Sequence, residues 1–369
     1  MSQKRRKSET RKRPGGRQSM RDGRDEMNLI EFPFATLSER SNGRNVLEFR
    51  REVYDRVVGK RVLRQLTVTG DAKFGLPTAK DEEVYLGLLQ LSKLYNDFSH
   101  PLVYFTRSQL IKLMNWRNRD WSYHRIGTAM RRLTGVRLFY EKAWRDNARR
   151  QYCDQGGFGL LDSFIIRDGR FRNKNADESE RLSEFRWSSV VFGSFQSGYL
   201  KKLDYKTVRE LSPVARRIYR YLDKHFYPPK RVSIVMDLKT FAFEHIGVSR
   251  SYDSTQIKRL FTQPIAELET IGFLAPTGNR FIKVKGQRAA WEVVFTMGGH
   301  RVPRYRGKAI PRDRNLTMPR DANSRHLDAL DRQMAELSPS ELRVLEERAM
   351  KSANPFFQET IEKHEPELG

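Results

Sequence analysis

Two stretches of this sequence decide the fold. Residues 102–135 are LVYFTRSQLIKLMNWRNRDWSYHRIGTAMRRLTG, and residues 234–272 are IVMDLKTFAFEHIGVSRSYDSTQIKRLFTQPIAELETIG. Each stretch predicts a short apolar strand, an amphipathic helix, a polar turn and a second helix rich in Arg, Lys and Gln that ends at a glycine. With a β-hairpin after each glycine, this is the order of a winged helix. The sequence therefore predicts an α+β fold with two tandem winged-helix domains, each a helix-turn-helix followed by a β-wing.

In the first stretch the second helix shows the clearest periodicity. Ile126, Met130 and Leu133 recur at helical spacing and mark its buried side. After this helix, residues 136–144 and 159–166 are expected to form the two strands of a long first wing. The loop between them is basic, with Arg145, Arg149 and Arg150.

The second stretch repeats the pattern in a more compact form. Ile257 and Phe261 face inward on its second helix, which we expect to kink or restart at Pro264 because proline cannot donate the helical hydrogen bond. Residues 281–284 and 289–295 then flank a basic hairpin tip. We expect the second copy to read DNA sequence more strictly, and the first to mix DNA contact with protein contact.

The rest of the chain supplies a small sheet and polar tails. Residues 29–69 contain short alternating runs typical of antiparallel strands, and residues 77–83 are expected to open a core-packing helix that runs through Leu94. Its acids Asp81, Glu82 and Glu83 lie in the first turn, where the helix dipole favours them, so we assign them no chemistry. The predicted organisation is a disordered basic arm (1–28), a first winged-helix domain (29–196), a second winged-helix domain (197–297), a basic linker (298–337) and a C-terminal helix and tail (338–369).

The charge of the chain indicates its class of partner. Its 369 residues include 70 Lys plus Arg against 45 Asp plus Glu, a formal net charge of +25. Such an excess favours a polyanion, and nucleic acid is the first expectation because Lys and Arg displace condensed counterions. An acidic membrane surface and charge that serves solubility alone are the alternatives.

The two helix-turn-helix patterns identify candidate DNA-binding residues. A helix fits the major groove, where Arg forks onto guanine and Gln or Asn onto adenine, while turns and hairpin tips reach phosphates. For each residue the alternative is a solvated helix face. The base-reading candidates are Arg125, Arg131, Arg132, Gln256 and Arg259. The phosphate-holding candidates are Arg117, Arg119, Lys283, Lys285 and Arg288. The predicted interface also includes Thr128, Lys258, Gln263 and Arg280.

Several aromatic residues fit either core packing or stacking on single-stranded DNA, and packing is the preferred interpretation. They are Trp116, Trp121, Tyr123, Trp144 and Trp187.

Catalytic motifs are missing from the sequence. The histidines include no pair separated by one residue, which a metal-dependent rolling-circle initiator needs, and no phosphate-binding loop occurs. The glycines of 156–159 lack the dinucleotide pattern, and the single Cys153 excludes an internal disulfide or a cysteine-rich zinc module. We therefore expect no enzyme activity, no catalytic residue, no metal and no cofactor. No secretory signal or membrane span is recognisable, which predicts a cytoplasmic protein that does not enter a membrane.

Four spaced motifs resemble the replication initiator protein A family of bacterial plasmids, and the likeness covers residues 29–297. They are LPTAKDEEV (76–84), FTR (105–107), RIGTAMRRL (125–133) and LSPVARRIYRYL (211–222).

The resemblance implies a tandem winged-helix plasmid replication initiator. Such a protein binds repeats in double-stranded origin DNA, opens adjacent A·T-rich DNA and recruits the host helicase, with the host initiator as a further expected partner. Related initiators pass between dimer and monomer, so a homodimer is one expected form. The alternatives are a sequence-specific transcriptional repressor without initiator activity and, in another class, a primase or nuclease.

Overall fold

Short strands and helices alternate along the chain. The computed structural model describes residues 22–38, 45–55, 59–167, 182–226, 231–286 and 289–299. The helices are α1 (Met27–Glu31), α2 (Ala79–Tyr95), α3 (Arg107–Leu113), α4 (Asp120–Gly135), α5 (Ser189–Gln196), α6 (Tyr205–Val208), α7 (Pro213–His225), α8 (Leu238–Thr240, continued by a π-helical turn over Phe241–Ile246) and α9 (Ser254–Thr270). The strands are β1 (Gly23–Glu26), β2 (Val46–Asp55), β3 (Lys60–Thr69), β4 (Leu102–Phe105), β5 (Arg137–Glu141), β6 (Arg145–Asp146), β7 (Gln151–Tyr152), β8 (Gln155–Gly159), β9 (Leu161–Ile165), β10 (Ser183–Trp187), β11 (Leu200–Leu203), β12 (Ser233–Asp237), β13 (Phe281–Lys283) and β14 (Trp291–Thr296).

The same arrangement of elements occurs twice. In the first winged-helix unit the chain runs α2, β4, α3, α4, β9 and β10, and its sheet has the antiparallel order β4-β10-β9. In the second winged-helix unit it runs α7, β12, α8, α9, β13 and β14, and the sheet order is β12-β14-β13. In both units the last strand is central, and its hairpin partner is the wing. The predicted tandem winged-helix fold is confirmed.

The pairing predicted for the first wing is wrong. Strand β5 pairs with β3 and β8 in a four-stranded sheet of order β2-β3-β5-β8, whereas β9 pairs with β10. The close approach of β8 depends on Gly157, where a Cβ would lie 2.7 Å from the ring of Phe139. The segment over 136–160 is therefore an insertion that enlarges the N-terminal sheet. The first wing connects β9 to β10, and residues 168–181 of it lie outside the described residues.

Local capping explains where the main helices begin. The backbone N–H of Gln109 donates to Thr106 at 3.2 Å, and the Gln109 side chain accepts from the Thr106 N–H at 2.8 Å. Helix α3 ends at Leu113, close to the predicted end, and Asn115 follows with φ 60°. Helix α9 is continuous through the buried Pro264, so the predicted restart of this helix is wrong.

The N-terminal boundary of the body differs from the prediction. Residues 23–28, assigned to the arm, form β1 and the start of α1, and β1 pairs antiparallel with β11. Asp25 and Glu26 are fully buried, where the Asp25 carboxylate accepts from the Arg220 guanidinium and the Glu26 carboxylate accepts from the Ser194 hydroxyl, each at 2.6 Å. Residues 1–21 of the predicted arm lie outside the described residues, as do residues 300–337 of the linker and the predicted C-terminal helix.

One continuous hydrophobic core extends from Leu29 to Phe295. In the first unit Phe34 packs edge-on against Tyr85 with ring centroids 4.9 Å apart, and in the second Phe241 lies 5.0 Å from Phe295. The buried side chains of α4 and α9 belong to this core, so their opposite faces are fixed relative to the body.

Candidate nucleic-acid interface

Helix α4 presents an outward face that the core holds in place. Its buried residues are Ser122, Ile126, Ala129, Met130 and Leu133. On the opposite side His124 and Arg131 are exposed, two turns apart. Because one side is packed throughout its length, the helix cannot rotate without exposing apolar surface, so the direction of this outward face is defined.

The turn before α4 is fixed by side-chain hydrogen bonds. The Ser122 hydroxyl donates to the carbonyl of Arg117 at 2.6 Å, and the Trp116 indole donates to Glu83 at 2.8 Å. The side chains of Arg117 and Arg119 are exposed. These two predicted phosphate contacts therefore lie on an ordered turn, beside the N-terminus of the helix.

Three of the predicted residues of α4 lie on its outward side. Arg131 is exposed, with its guanidinium 5.6 Å from the centroid of the Phe74 ring, a cation–π contact at the end of the side chain. Arg125 and Thr128 are half-buried. The Thr128 hydroxyl donates to the His124 carbonyl at 3.2 Å, so this hydroxyl is engaged by its own helix.

Arg132 is turned into the protein, contrary to the prediction. Its Nε donates to the carbonyl of Phe74 at 2.8 Å, and another guanidinium nitrogen lies 3.1 Å from the buried carboxylate of Asp81. If the Arg132 side chain moved away to reach DNA, the buried carboxylate of Asp81 would lose its charged partner, which is energetically costly. Arg132 therefore joins α4 to the start of α2, and we do not retain it as a base-reading residue.

Helix α9 carries the equivalent face of the second unit. Asp253 caps it and accepts from the N–H groups of Thr255 and Gln256 at 2.7 and 2.8 Å. The Gln256 amide oxygen accepts in turn from the Asp253 N–H at 2.9 Å, which leaves the amide NH₂ for an external acceptor. Arg259 and Gln263 are exposed one and two turns further along.

The second wing lies beside α9 and carries cations. The Lys258 ammonium lies 3.5 Å from the centroid of the Trp291 ring on β14, a cation–π contact that holds this half-buried side chain against the wing. Lys283 and Lys285 are exposed near the hairpin tip, where Gly286 adopts φ +78°, a left-handed conformation that glycine permits.

Arg280 and Arg288 were also predicted to contact DNA, and the structure describes only the first of them. Arg280 is buried and donates to the carbonyl of Val294 at 3.0 Å, to the carbonyl of Ala275 at 2.7 Å and to Glu269. Because all these partners belong to the protein, Arg280 braces the wing and is not retained as a DNA contact. Arg288 lies outside the described residues.

The aromatic residues divide into core and surface groups. Trp144 and Trp187 are buried, which confirms packing for these two. Trp121 remains 49% exposed and stacks on Trp116 with ring centroids 6.1 Å apart. His124, which is not among the predicted residues, is exposed on the same face, one turn before Thr128 and two turns before Arg131.

A buried ion-pair network connects α2 with α7. Arg217 donates to Glu82 at 3.3 Å, Arg220 donates to Glu82 and to Asp25 at 2.6 Å each, and Arg216 donates to Glu83 at 2.9 Å. Burial raises the pKa of Glu82, but the Arg217 and Arg220 charges outweigh it and the net shift of that pKa is downward.

This network revises the interpretation of the acids at the start of α2. Only Asp81 acts as a capping residue, accepting from the Thr78 N–H at 2.7 Å. Glu82 and Glu83 instead anchor the second winged-helix unit to the first. The sequence signal was the cluster Arg216, Arg217 and Arg220 within an otherwise apolar helix.

The described residues include neither a metal-binding cluster nor a membrane-spanning helix. They contain no group of three or more His, Cys, Asp or Glu side chains placed to hold a metal ion. Within the same residues, no helix combines the length and the apolar character needed to cross a lipid bilayer.

The comparisons with known proteins give one family match. A family model described as replication initiator protein A matches residues 24–240, more than half of the chain. This match covers the first winged-helix unit and the first helices of the second. No curated protein matches the sequence.

Similar solved structures include RctB and Pi initiator protein. A selenomethionine derivative of domains 2 and 3 of RctB has a TM-score of 0.47 and 11% identity, covering 73% of this chain and 98% of that one. Pi initiator protein in complex with iteron DNA has a TM-score of 0.41 and 12% identity, covering 70% of this chain and 100% of that one. The winged-helix description rests on the strand order and helix succession given above.

Proposed function

The chain belongs to the replication initiator protein A family, and from this premise we propose that it initiates plasmid replication by binding repeated sequences in origin DNA. The observation that carries the proposal is the doubled outward face. Arg131 on α4 and Arg259 on α9 are both exposed on the second helix of a helix-turn-helix, and each helix is packed on its opposite side.

The two helices occupy successive major grooves of one repeat. Arginine matches guanine through two hydrogen bonds, so Arg125, Arg131 and Arg259 read bases, and the free amide NH₂ of Gln256 donates to a base acceptor. Thr128, Lys258 and Gln263 flank these residues on the same helices. The exposed cations Arg117, Arg119, Lys283 and Lys285 hold phosphates and add affinity without sequence preference.

The buried network supports simultaneous binding by both units. Arg217 and Arg220 connect α7 to Glu82 of α2, so the two recognition helices are carried by one continuous core. A fixed separation favours repeats with one particular spacing and reduces the entropy lost when both units bind.

Family membership supports the later steps of the proposed initiation. The bound assembly strains and opens adjacent A·T-rich DNA and recruits the host helicase, with the host initiator as a further partner and a homodimer as one form of the protein. Binding is the whole activity of the chain, with no catalytic step, and its place of action is the bacterial cytoplasm, on plasmid DNA.

Footprinting on DNA beside its own gene tests the proposal. We expect protection of several short direct repeats, together with permanganate-reactive thymines in a neighbouring A·T-rich segment that appear only when the protein is bound. Protection of a single palindrome without reactive thymines would instead identify a transcriptional repressor. Metal-dependent formation of new DNA products on the same fragment would contradict a non-catalytic mechanism.

A further inference from the structure

Gly127 lies in the interior of α4, on the side that does not contact the core. A Cβ built at Gly127 meets no heavy atom within 4 Å. The contrast is Gly87 in α2, where a Cβ would lie 2.7 Å from the Leu110 side chain of α3. Packing therefore explains the glycine in α2, and it does not explain the one in α4.

Glycine is unfavourable at an interior helical position. It loses more backbone entropy than alanine on folding, and an alanine at 127 would fit without displacing any atom. Gly127 therefore makes α4 less stable than alanine would, and no contact inside the protein requires the glycine. What the missing side chain provides is open surface at the helix backbone, which an external molecule can approach closely.

The neighbours of this open surface indicate the external molecule. His124 lies one turn before Gly127 and is exposed, and Arg131 lies one turn after it and is also exposed. The helix backbone at Gly127 carries no side chain, and it lies between the imidazole of His124 and the guanidinium of Arg131. A polyanion could contact the backbone at this position and both side chains.

We infer that Gly127 is the point where the backbone of α4 comes into direct contact with duplex DNA in the major groove. The inference rests on the proposed function and deepens it. Without a side chain at 127 the helix seats closer to the base-pair edges, which brings Arg131, one turn further along the same side, within reach of them. A methyl group at 127 lifts the helix from the groove, since closely packed interfaces tolerate little added volume.

The test compares Gly127→Ala with Gly193→Ala in the full-length protein. Gly193 is a matched control because it also lies within a helix, α5, and a Cβ there also meets nothing within 4 Å. The probes are a labelled duplex carrying the direct repeats nearest to its own gene and a duplex of the same length without repeats. Thermal unfolding is measured alongside binding.

We expect both variants to raise the unfolding midpoint by roughly 2–4 °C, because alanine favours the helix. Only Gly127→Ala should weaken binding to the repeats, by about tenfold or more, while binding to the duplex without repeats stays unchanged because the helix is not seated there. A variant that is more stable and yet binds less tightly cannot be explained by misfolding.

Three results would overturn the inference. They are unchanged repeat binding by Gly127→Ala, an equal loss for Gly193→Ala, and an equal loss on the duplex without repeats. The proposed function fails separately, if the wild-type protein does not distinguish the repeats from the control duplex.

Discussion

The guanidinium of Arg220 donates to the carboxylate of Glu82 at 2.6 Å, and this buried contact joins the first helices of the two winged-helix units. Both side chains are almost fully excluded from solvent. The same guanidinium holds Asp25 on β1, so three separate parts of the chain meet at one cation. Because of this arrangement, the core fixes the relative position of α4 and α9, the two helices that we propose bind DNA.

Breaking this network should destabilise the protein strongly. Replacing Glu82 with alanine leaves Arg217 buried without its carboxylate partner, and removing one member of a buried pair costs about 3–5 kcal/mol. Urea unfolding of the wild type and Glu82→Ala measures the difference. The matched control is Glu52→Ala, because Glu52 faces Arg61 at 3.7 Å in an exposed pair and its loss should cost less than about 1 kcal/mol. Similar losses in the two variants would contradict the stabilising role of the network.

His245 should make the protein sensitive to acid. Burial lowers the pKa of His245 to about 3, with Arg51 and His225 adding to the shift and Glu31 opposing it. The unfolded chain protonates this residue near pH 6.5, so its contribution is fully present above that pH and is lost as the pH falls towards 3. The loss is on the order of 5 kcal/mol.

The variant His245→Phe tests this contribution, since the ring packs against Tyr221 at 4.3 Å and phenylalanine keeps an aromatic ring there. Between pH 6.5 and 4, the free energy of unfolding should fall less steeply in the variant than in the wild type. If the free energy of unfolding falls equally steeply with pH in the two proteins, the pKa of His245 is the same in the folded and unfolded states, which contradicts the prediction.

Arg259 and Lys285 should differ in what they contribute to DNA binding. If Arg259 reads a base, Arg259→Ala should lose about 1–3 kcal/mol on the repeat and relax the preference at one base pair. Lys285→Ala should weaken binding to all sequences alike and reduce the salt dependence. Binding to a set of repeats with single base changes, at two salt concentrations, separates the two effects. A uniform loss for Arg259→Ala would remove it from the base-reading set.

The adjacent residues Arg131 and Arg132 should have opposite phenotypes. Arg132→Ala removes the hydrogen bond to Phe74 and leaves Asp81 without its partner, so it should lower the stability of the fold by about 1–3 kcal/mol. Arg131→Ala should leave the unfolding midpoint unchanged and lower the preference for the repeat. Unfolding and binding assays on both variants decide between these roles, and an exchange of the two phenotypes would contradict the structure of α4.

Local signals in the sequence were sufficient for the two helix-turn-helix stretches. Thr106 and Asp253 are of residue types that favour the N-cap, and each caps its helix, while the periodic apolar residues of α4 are buried as predicted. The strands that pair with β5 could not be predicted in this way. The alternation of apolar and polar residues shows which face of a strand is buried, but not which strand lies beside it.

Long-range pairing accounts for the remaining differences. Asp25 and Arg220 are 195 residues apart in the sequence, so nothing near Asp25 indicates that this end of the predicted arm is buried. For the same reason Arg132 was assigned to the DNA-binding surface, although its partner Asp81, 51 residues away in the sequence, lies within the fold.

The central claim is that two winged-helix units bind successive major grooves of one origin repeat. Methylation interference at guanine N7 tests it most directly, because this atom lies in the major groove. We predict two patches of interference on each repeat, separated by one helical turn of about 10 base pairs. A single patch on each repeat, or interference confined to adenine N3 in the minor groove, would contradict the account.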